Sequence, residues 1–347
     1  MTMEKVSVII PCYNVEKYVE ECLDSVINQT IGIDNMEIIM VDDCSEDGTW
    51  EILEKYEKQY PDHIILVKSE KNARQGAARN IGLEYVSGDY ISFVDADDYI
   101  SRDMYEILRN VIRETESDVV EFRKFSDVLS CKGNQNDYSF EVFDIKGERA
   151  RKQLLLSNDV MGESCTRKLY RYTFFQAAGV RFAEGVAYEE PLFTYPLKLR
   201  VNRIALVEGE FYFYRQNEEG TTLNYMSNPS TILDHLNVQW QLLDYIRKFP
   251  DFDIYREETE MHFIHAFFVE PFYFLSLRGM IMSVNLFRYM CRVVKMVLPD
   301  YKDNIYVQYH FFEKEAHIID LISELDTMDD EKAAIRLEEI CREIRGL

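Results

Sequence analysis

The first hundred residues alternate between short apolar runs and longer segments whose apolar residues recur every three to four positions. The runs are rich in β-branched and aromatic residues, which favour strands. The predicted strands are Val6–Ile10, Glu37–Val41, Ile64–Val67 and Tyr90–Val94. The helices predicted between them are one capped by Asn14, then Thr49–Tyr60 and Gln75–Val86. This βαβα alternation predicts an α/β fold with a mostly parallel central sheet.

Polar residues follow three of the predicted strands at the point where each strand ends. They lie in the segments Pro11–Asn14, Asp42–Asp43 and Asp95–Asp97. Because parallel strands present their carboxyl ends at one edge of a sheet, we expect these segments to line one cleft. There Tyr13 is suited to pack against a flat base, and the Asp43 carboxylate to accept a hydrogen bond from a ring N–H such as that of uracil. A simple Asx turn at Asp42–Asp43 is the structural alternative.

The fourth predicted strand ends in three carboxylates within four residues, Asp95, Asp97 and Asp98. Two unit charges about 4 Å apart interact by about 1 kcal/mol in water and about 4 kcal/mol near a protein surface, so such a group favours protonation or a divalent cation. Mg²⁺ and Mn²⁺ bind one or two protein carboxylates and complete their shell with water and substrate phosphate. The alternative is a solvated turn that caps the following helix.

The segment Asn72–Gly82 combines small residues, which allow close helix packing, with two arginines. Arg74 and Arg79 are candidates to contact diphosphate oxygens. The chain contains neither G-x-G-x-x-G nor G-x-x-x-x-G-K-[ST], which argues against a dinucleotide-dependent dehydrogenase and a P-loop NTPase.

Composition narrows the class of protein and of ligand. A hydrophobic content of 47% is enough for a substantial core, and the formal charge of -23 opposes binding to nucleic acid. An anionic ligand must therefore be bound locally, through a metal ion or a few arginines. Seven cysteines without a C-x-x-C pair, no apolar leader and no run near the roughly 20 apolar residues of a membrane span predict a cytoplasmic protein.

Four segments in order resemble the family 2 inverting glycosyltransferases, which have the GT-A fold and use nucleotide-activated sugars. They are Val6–Asn14, Val41–Thr49, Gly76–Gly82 and Asp95–Asp98. The resemblance is strong over about the first 125 residues and extends more loosely to about residue 220. It implies a glycosyltransferase domain over residues 1–225, with nucleotide-sugar binding in 1–125, the acceptor side in 126–225, and a helical region in 226–347.

The resemblance also implies roles for individual residues. Those expected to border the nucleotide are Pro11, Tyr13, Asn14 and Glu16, and Asp43 is expected to read the uracil.

Asp95, Ala96 and Asp97 match the D-x-D element, which holds the metal and the diphosphate, and Asp98 is expected to share the metal contact. The implied cofactor is Mn²⁺ or Mg²⁺, and the implied donor is a UDP-sugar.

The acceptor side of the resemblance contains the expected catalytic base. Phe182–Phe193 is similar to a family segment that ends in Glu-Asp, and here the two acids are Glu189 and Glu190. We expect Glu190, in the second position, to deprotonate the acceptor hydroxyl, with Glu189 as the alternative. The segment Arg167–Arg171 also resembles a family element. Arg215, followed by a flexible loop at 220–222, resembles a cation that faces the leaving diphosphate.

Beyond about residue 225 the pattern is helical. Amphipathic helices are predicted at His235–Arg247, His262–Leu277, Met282–Leu298 and Asp330–Arg345. The third helix has three basic residues, Arg288, Arg292 and Lys295, opposite an apolar face. Three alternatives are open for this amphipathic helix: it packs within the molecule, it associates with a second copy, or it makes peripheral contact with the inner face of the plasma membrane.

These features together predict a metal-dependent inverting glycosyltransferase. It would transfer a sugar from a UDP donor to a hydroxyl of a glycan, or of a glycosylated protein, in surface polysaccharide or glycoprotein synthesis. Two other classes remain open: a nucleotidyltransferase that makes nucleotide sugars, and a non-catalytic relative that binds glycan or protein. The first would be expected to have a Gly-rich basic loop where this chain has Pro11–Asn14.

Overall fold

The chain forms two compact units, residues 1–220 and 221–347. The computed structural model describes residues 4–127, 138–157, 159–215, 229–324 and 328–346. The division falls close to the predicted boundary after residue 225. The predicted flexible loop at 220–222 lies outside the described residues.

The first unit contains all the described strands and, within its described residues, seven α-helices and a 3-10 helix at Ile33–Asn35. The strands are β1 Val6–Cys12, β2 Met36–Asp42, β3 Ile64–Lys68, β4 Tyr90–Phe93, β5 Tyr99–Ile100, β6 Val119–Asp127, β7 Ser139–Asp144, β8 Lys168–Arg171 and β9 Arg203–Tyr214. The helices are α1 Val19–Ile27, α2 Thr49–Gln59, α3 Arg74–Leu83, α4 Met104–Thr115, α5 Gly147–Leu156, α6 Tyr172–Ala178 and α7 Glu190–Lys198.

The first four strands form the parallel part of the sheet, in the order β3-β2-β1-β4. In the centre Ile9 of β1 lies between Ile39 of β2 and Phe93 of β4, and all three are fully buried. Strands β2 and β3 lie on one side of β1 and β4 on the other, so the strand order reverses at β1. Open α/β sheets bind ligands beside the carboxyl ends of the strands at such a point. The predicted α/β fold is confirmed.

The remaining strands make the sheet mixed. Strand β8 pairs antiparallel with β4 and β6, whereas β9 pairs parallel with β6 and antiparallel with β5 and β7. In the β5–β9 pair Tyr99 lies opposite Phe213, and their rings stack with centroids 4.8 Å apart. This short pairing fixes the far end of the acidic turn that follows β4.

The prediction that Asn14 caps α1 is wrong. The helix begins at Val19, and Tyr18 precedes it without a capping side chain. Asn14 has a left-handed backbone with φ of 52°, and its side chain accepts the backbone N–H of Glu46 at 2.8 Å. The apolar face predicted for α1 is buried as expected.

Helix α3 packs unusually closely against the sheet and against the segment before α7. A Cβ added at Gly76 would lie 2.1 Å from the carbonyl oxygen of Ala183 and 2.9 Å from Cβ of Glu189. At Gly82 it would lie 2.6 Å from a methyl carbon of Ile9. The small residues of this helix therefore let it approach both neighbours.

We predict that Gly76→Ala destabilises the protein by about 1–3 kcal/mol, because the new methyl group collides with backbone that cannot move cheaply. Gly82→Ala is the matched comparison, and it should cost less because its clash is with a side-chain methyl group. Urea unfolding measures both. If helix propensity alone decided the outcome, each alanine would stabilise the protein by about 1 kcal/mol, and such a result for Gly76→Ala would contradict the prediction.

The second unit is helical in its described residues. Its helices are α8 Pro229–Ile246, α9 Arg256–Ile264, α10 Glu270–Ser276, α11 Val284–Val297, α12 Ile305–Gln308, α13 Ala316–Glu324 and α14 Asp330–Ile344. The predicted helix over 262–277 is divided, since a π-helical turn at His265–Val269 separates α9 from α10. The predicted helical region is confirmed. Within the described residues no helix combines the length and apolarity needed to cross a membrane.

The apolar face of α11 packs inside this unit. Met290, Val293 and Val294 are buried on it, together with Phe287 and Cys291. The helix contacts α13, α14 and the π-helical turn. Packing within the molecule is therefore the observed arrangement for this face.

Candidate active site

The loops that follow β1 and β2 are joined to each other by hydrogen bonds. The backbone N–H of Asn14 donates to Ser45 Oγ at 3.0 Å. A Glu16 carboxylate oxygen accepts the backbone N–H of Gly48 at 2.7 Å. Asn14 and Glu16 therefore position these loops, and their predicted contact with a nucleotide stays a prediction.

An exposed aromatic ring and a buried carboxylate lie on the same two loops. Tyr13 is 44% exposed, whereas Asp43 is 2% exposed. Pro11 is half-buried and pairs with Val41 in the sheet. The Asp43 carboxylate accepts a hydrogen bond from the backbone N–H of Ala73, with both carboxylate oxygens 3.1 Å from the nitrogen. Since a carboxylate offers about four acceptor positions, Asp43 retains capacity for a second donor such as a base N–H.

Three carboxyl groups meet in the turn between β4 and β5. Asp95 and Asp97 are half-buried, and Ala96 and Asp98 are buried. The Asp98 side chain accepts the backbone N–H of Arg215 at 2.8 Å. Burial, with the charges of Asp95 and Asp97, raises the pKa of Asp98 to about 8. The turn thus concentrates negative charge at the carboxyl end of β4.

This turn suits a metal ion whose coordination shell is completed by diphosphate oxygens. It does not suit a metal ion that needs three protein ligands. In the part of the chain that the structure describes, no three His, Cys, Asp or Glu side chains are grouped to hold a metal ion. Asp98 is 1% exposed and accepts the backbone N–H of Arg215, so it is the least accessible of the three acids, and its share in the metal contact stays a prediction. Asp95 and Asp97 are half-buried, and one or two carboxylates with phosphate oxygens satisfy Mg²⁺.

Arg79 lies buried between the acidic turn and the acidic pair before α7. Its guanidinium donates to Asp95 Oδ1 at 2.7 Å and to Glu189 Oε1. The same group lies over the ring of Phe182, 5.3 Å from the centroid. Both ends of the Arg79 guanidinium are used in ion pairs, and its predicted contact with the diphosphate stays a prediction.

The two acids of the pair have different environments. Glu189 is fully buried and bound to Arg79. Glu190 is half-buried, and its Oε1 accepts the backbone N–H of Cys165 at 2.7 Å. Burial and the neighbouring Glu189 charge raise the pKa of Glu190. Tyr188, just before them, has a left-handed backbone with φ of 63°. Glu190 is therefore the acid of the pair that a ligand can reach.

Two predicted cations remain. Arg215 lies near the acidic turn, and Arg74 is the first residue of α3. Arg215 donates to the carbonyl oxygen of Asp97 at 3.0 Å and forms an ion pair with Glu21. Its guanidinium lies 5.1 Å from the ring centroid of Tyr18. Arg215 thus supports the turn. Arg74 is exposed, with a left-handed backbone at φ of 68°.

Comparison with known proteins agrees with this arrangement. Residues 7–179 match the family described as Glycosyl transferase family 2. This chain belongs to glycosyltransferase family 2. The match includes nearly all of β1, together with β2 to β4, the acidic turn and α3.

Two relatives and one solved structure define the similarity further. The poly(ribitol-phosphate) beta-N-acetylglucosaminyltransferase TarS of Staphylococcus aureus is 32% identical over 220 residues, which are 63% of this chain and 36% of that relative. The minor teichoic acid biosynthesis protein GgaB of Bacillus subtilis is 42% identical over 222 residues, 62% of this chain and 23% of that protein. This chain thus matches only about a third or less of the length of these relatives.

The crystal structure of S. aureus TarS 1–349 in complex with UDP-GlcNAc shares the fold. It superposes with a TM-score of 0.70 and 24% identity, over 92% of this chain and 89% of that chain.

Sequence reasoning missed a buried pair, Lys168 and Glu121, that supports the loop bound to Glu190. Lys168 is fully buried and donates to the carbonyl oxygen of Gly162 at 2.6 Å and to Glu121 at 3.3 Å. Glu121 in turn accepts the backbone N–H of Gly162 at 3.1 Å. The pair fixes the loop whose Cys165 N–H binds Glu190. The resemblance of Arg167–Arg171 pointed to Lys168, whereas no local pattern pointed to Glu121.

We predict that Arg79→Met lowers the free energy of unfolding by about 3–5 kcal/mol, because it leaves the Glu189 charge buried without a partner. The double change Arg79→Met with Glu189→Met should recover much of that loss, since apolar side chains of similar volume then fill the site. Chemical denaturation measures both. Arg181→Met is the matched control and should cost less than about 1 kcal/mol, because its ion pair with Glu84 is exposed. Equal losses in the single and double variants would contradict this account.

Proposed function

We propose that this chain is a metal-dependent inverting glycosyltransferase that moves a sugar from a UDP donor to a hydroxyl of a surface polysaccharide. The observation that carries the proposal is the placement of Arg79, which binds Asp95 of the D-x-D turn and Glu189 of the acidic pair at once. This contact brings Asp95 and Glu189, the neighbour of the half-buried Glu190, to one guanidinium group, which supports a common site for the proposed metal ligands and the proposed base. In the proposal residues 1–125 bind the donor and residues 126–225 the acceptor.

The donor side has groups suited to each part of a UDP-sugar. The exposed ring of Tyr13 offers a stacking surface for the base, and Asp43 retains acceptor capacity for a ring N–H. The solved complex of TarS with UDP-GlcNAc supports the choice of uridine. Asp97 and Asp95 would hold Mn²⁺ or Mg²⁺, which when bound would neutralise charge on the leaving diphosphate. Arg74, exposed at the start of α3, is the cation best placed to assist there.

Glu190 is the proposed base. It would accept the proton of the acceptor hydroxyl while that oxygen attacks the anomeric carbon from the face opposite the diphosphate. The bond between the anomeric carbon and the diphosphate oxygen breaks in the same step, so the configuration inverts and UDP leaves. The Cys165 N–H bound to Oε1 holds the carboxylate in place.

The proposed acceptor is a hydroxyl of a teichoic-acid type polymer or a related surface polysaccharide. TarS acts on poly(ribitol-phosphate) by its name, and GgaB is named for minor teichoic acid biosynthesis. Because this chain is similar to them, a polyol-phosphate or sugar-phosphate polymer is better supported as the acceptor than a glycosylated protein. The match to glycosyltransferase family 2 supports glycosyl transfer over the alternative of a nucleotidyltransferase that makes nucleotide sugars.

We predict that Glu190→Gln lowers the transfer rate by about 10²- to 10⁴-fold with little change in UDP affinity, because the amide keeps the shape but cannot accept the proton. In the parent the rate should fall as the pH decreases through the raised pKa of Glu190, since the protonated carboxyl is no longer a base.

Initial rates over a pH series, with UDP-GlcNAc and a polyol-phosphate polymer, measure this change. Glu54→Gln, an exposed change on α2, is the control and should retain the parental rate. A parental rate in Glu190→Gln would move the base to another residue.

We predict that Asp97→Asn weakens UDP binding in the presence of Mn²⁺ by about tenfold or more, because it removes a proposed metal ligand. Binding of UDP in EDTA should be the same for the variant and the parent. Calorimetry with and without Mn²⁺ separates the two effects, and Asp62→Asn, in an exposed turn, serves as control. If the variant kept the parental response to Mn²⁺, Asp97 would have no metal role.

A further inference from the structure

One segment of the second unit has a charge opposite to that of the rest of the protein. The chain has 62 acidic and 39 basic residues. No Asp or Glu occurs between Glu270 and Asp300, whereas this interval contains Arg278, Arg288, Arg292 and Lys295. In so acidic a chain, an acid-free basic segment gives this part of the surface a local positive charge.

The outward face of α11 combines apolar and basic side chains. Tyr289 is 48% exposed and Met296 is 66% exposed, and the exposed Arg292 lies between them. These positions are spaced by three and four residues, so they share one face of the helix. This is the face opposite the buried Met290 and Val294.

The loop before α11 also exposes apolar and basic side chains. Leu277 is 67% exposed, Ile281 is 49% exposed, and Arg278 between them is exposed. Ile281 is three residues before Val284, the first residue of α11, so it lies within about 11 Å of that helix. We call the set Leu277, Arg278, Ile281, Tyr289, Arg292 and Met296 the basic apolar surface.

The positive charge of this surface is not neutralised from within the protein. Arg288, at the border of the α11 face, forms an ion pair with Asp330 at 2.7 Å and so adds little. Arg278 donates only to the carbonyl oxygen of Phe274, at 3.3 Å. Across the described ranges, neither Arg278 nor Arg292 forms an ion pair. Both guanidinium groups therefore present full charge to solvent.

We propose that the basic apolar surface docks on the anionic lipid headgroups of a membrane. Its arginines match lipid phosphates, and its tyrosine and aliphatic side chains are suited to the boundary between headgroups and acyl chains. The acidic remainder of the protein is repelled by the same lipids, which favours one orientation. Self-association through this surface would bring like charges together, so a second copy fits it less well. The inference does not depend on the proposed glycosyl transfer.

Flotation of the full chain with vesicles tests the proposal. The vesicles are phosphatidylcholine alone, or phosphatidylcholine and phosphatidylglycerol in equal parts, at low and high salt. We expect binding only to the vesicles that contain phosphatidylglycerol, and weaker binding at high salt. Arg278→Gln with Arg292→Gln should lower the affinity by about 30-fold, since each basic residue near an anionic surface contributes about fivefold.

A matched control removes the same charge elsewhere in the same unit. Lys248→Gln with Arg256→Gln changes two exposed ion pairs and should retain the parental vesicle affinity. Tyr289→Ser with Met296→Ser keeps the charge and should weaken binding through the apolar contribution alone. Circular dichroism and thermal unfolding of each variant show that it is folded, whatever the outcome for glycosyl transfer.

Three results would overturn the proposal. They are no binding of the folded parent to phosphatidylglycerol vesicles, equal loss in the two charge-removing double variants, and a dimer that Arg278→Gln with Arg292→Gln dissociates without any vesicle binding. The last result would assign the surface to a second copy of the chain.

Discussion

The buried guanidinium of Arg79 connects the parts of the first unit that must act together. It comes from α3, and it binds Asp95 after β4 and Glu189 before α7. Glu190, which we propose as the base, is the next residue in the chain after Glu189. Any shift of this guanidinium would move the acidic turn after β4 and the acids before α7 relative to each other. The position of the proposed chemistry therefore depends on one ion-paired side chain.

Burial of these charges is expensive, and the surrounding structure offsets the cost. A lone buried charge costs several kcal/mol, against a total stability of about 5–15 kcal/mol for a domain. Arg79 has two carboxylates and the face of Phe182 as partners. Phe182 stacks on Phe193 with centroids 4.0 Å apart, which fixes the wall of the site. Gly76 lets α3 come close enough to deliver Arg79 to both acids.

The protein also reconciles a strongly acidic composition with the anionic donor that we propose. Of its acids near the site, Glu16 and Asp43 are bound to loop amides, Asp95 and Glu189 are paired with Arg79, and Asp97 is the one that we propose for a metal ion. Asp98 is buried with a pKa raised to about 8, so it does not add a full charge at neutral pH. The electrostatic potential at the site is therefore set by the hydrogen bonds and ion pairs of individual acids. The net charge of -23 acts at longer range.

The sequence by itself determined the elements whose signal is local. Periodicity located β1 to β4 and the helices between them, and the polar residues at the strand ends indicated the candidate site, because parallel strands share one carboxyl edge. The glycines of α3 and the acids at 189–190 were also recognisable as short motifs. Only the tertiary structure decided how distant groups pair. Arg79 meets Glu189 across 110 residues, Asn14 bonds to the neighbouring loop instead of capping α1, and Glu121 meets Lys168 where β6 and β8 pair. These pairings follow from strand order and helix packing, and because they join groups far apart in the chain, no local pattern of residues contains them.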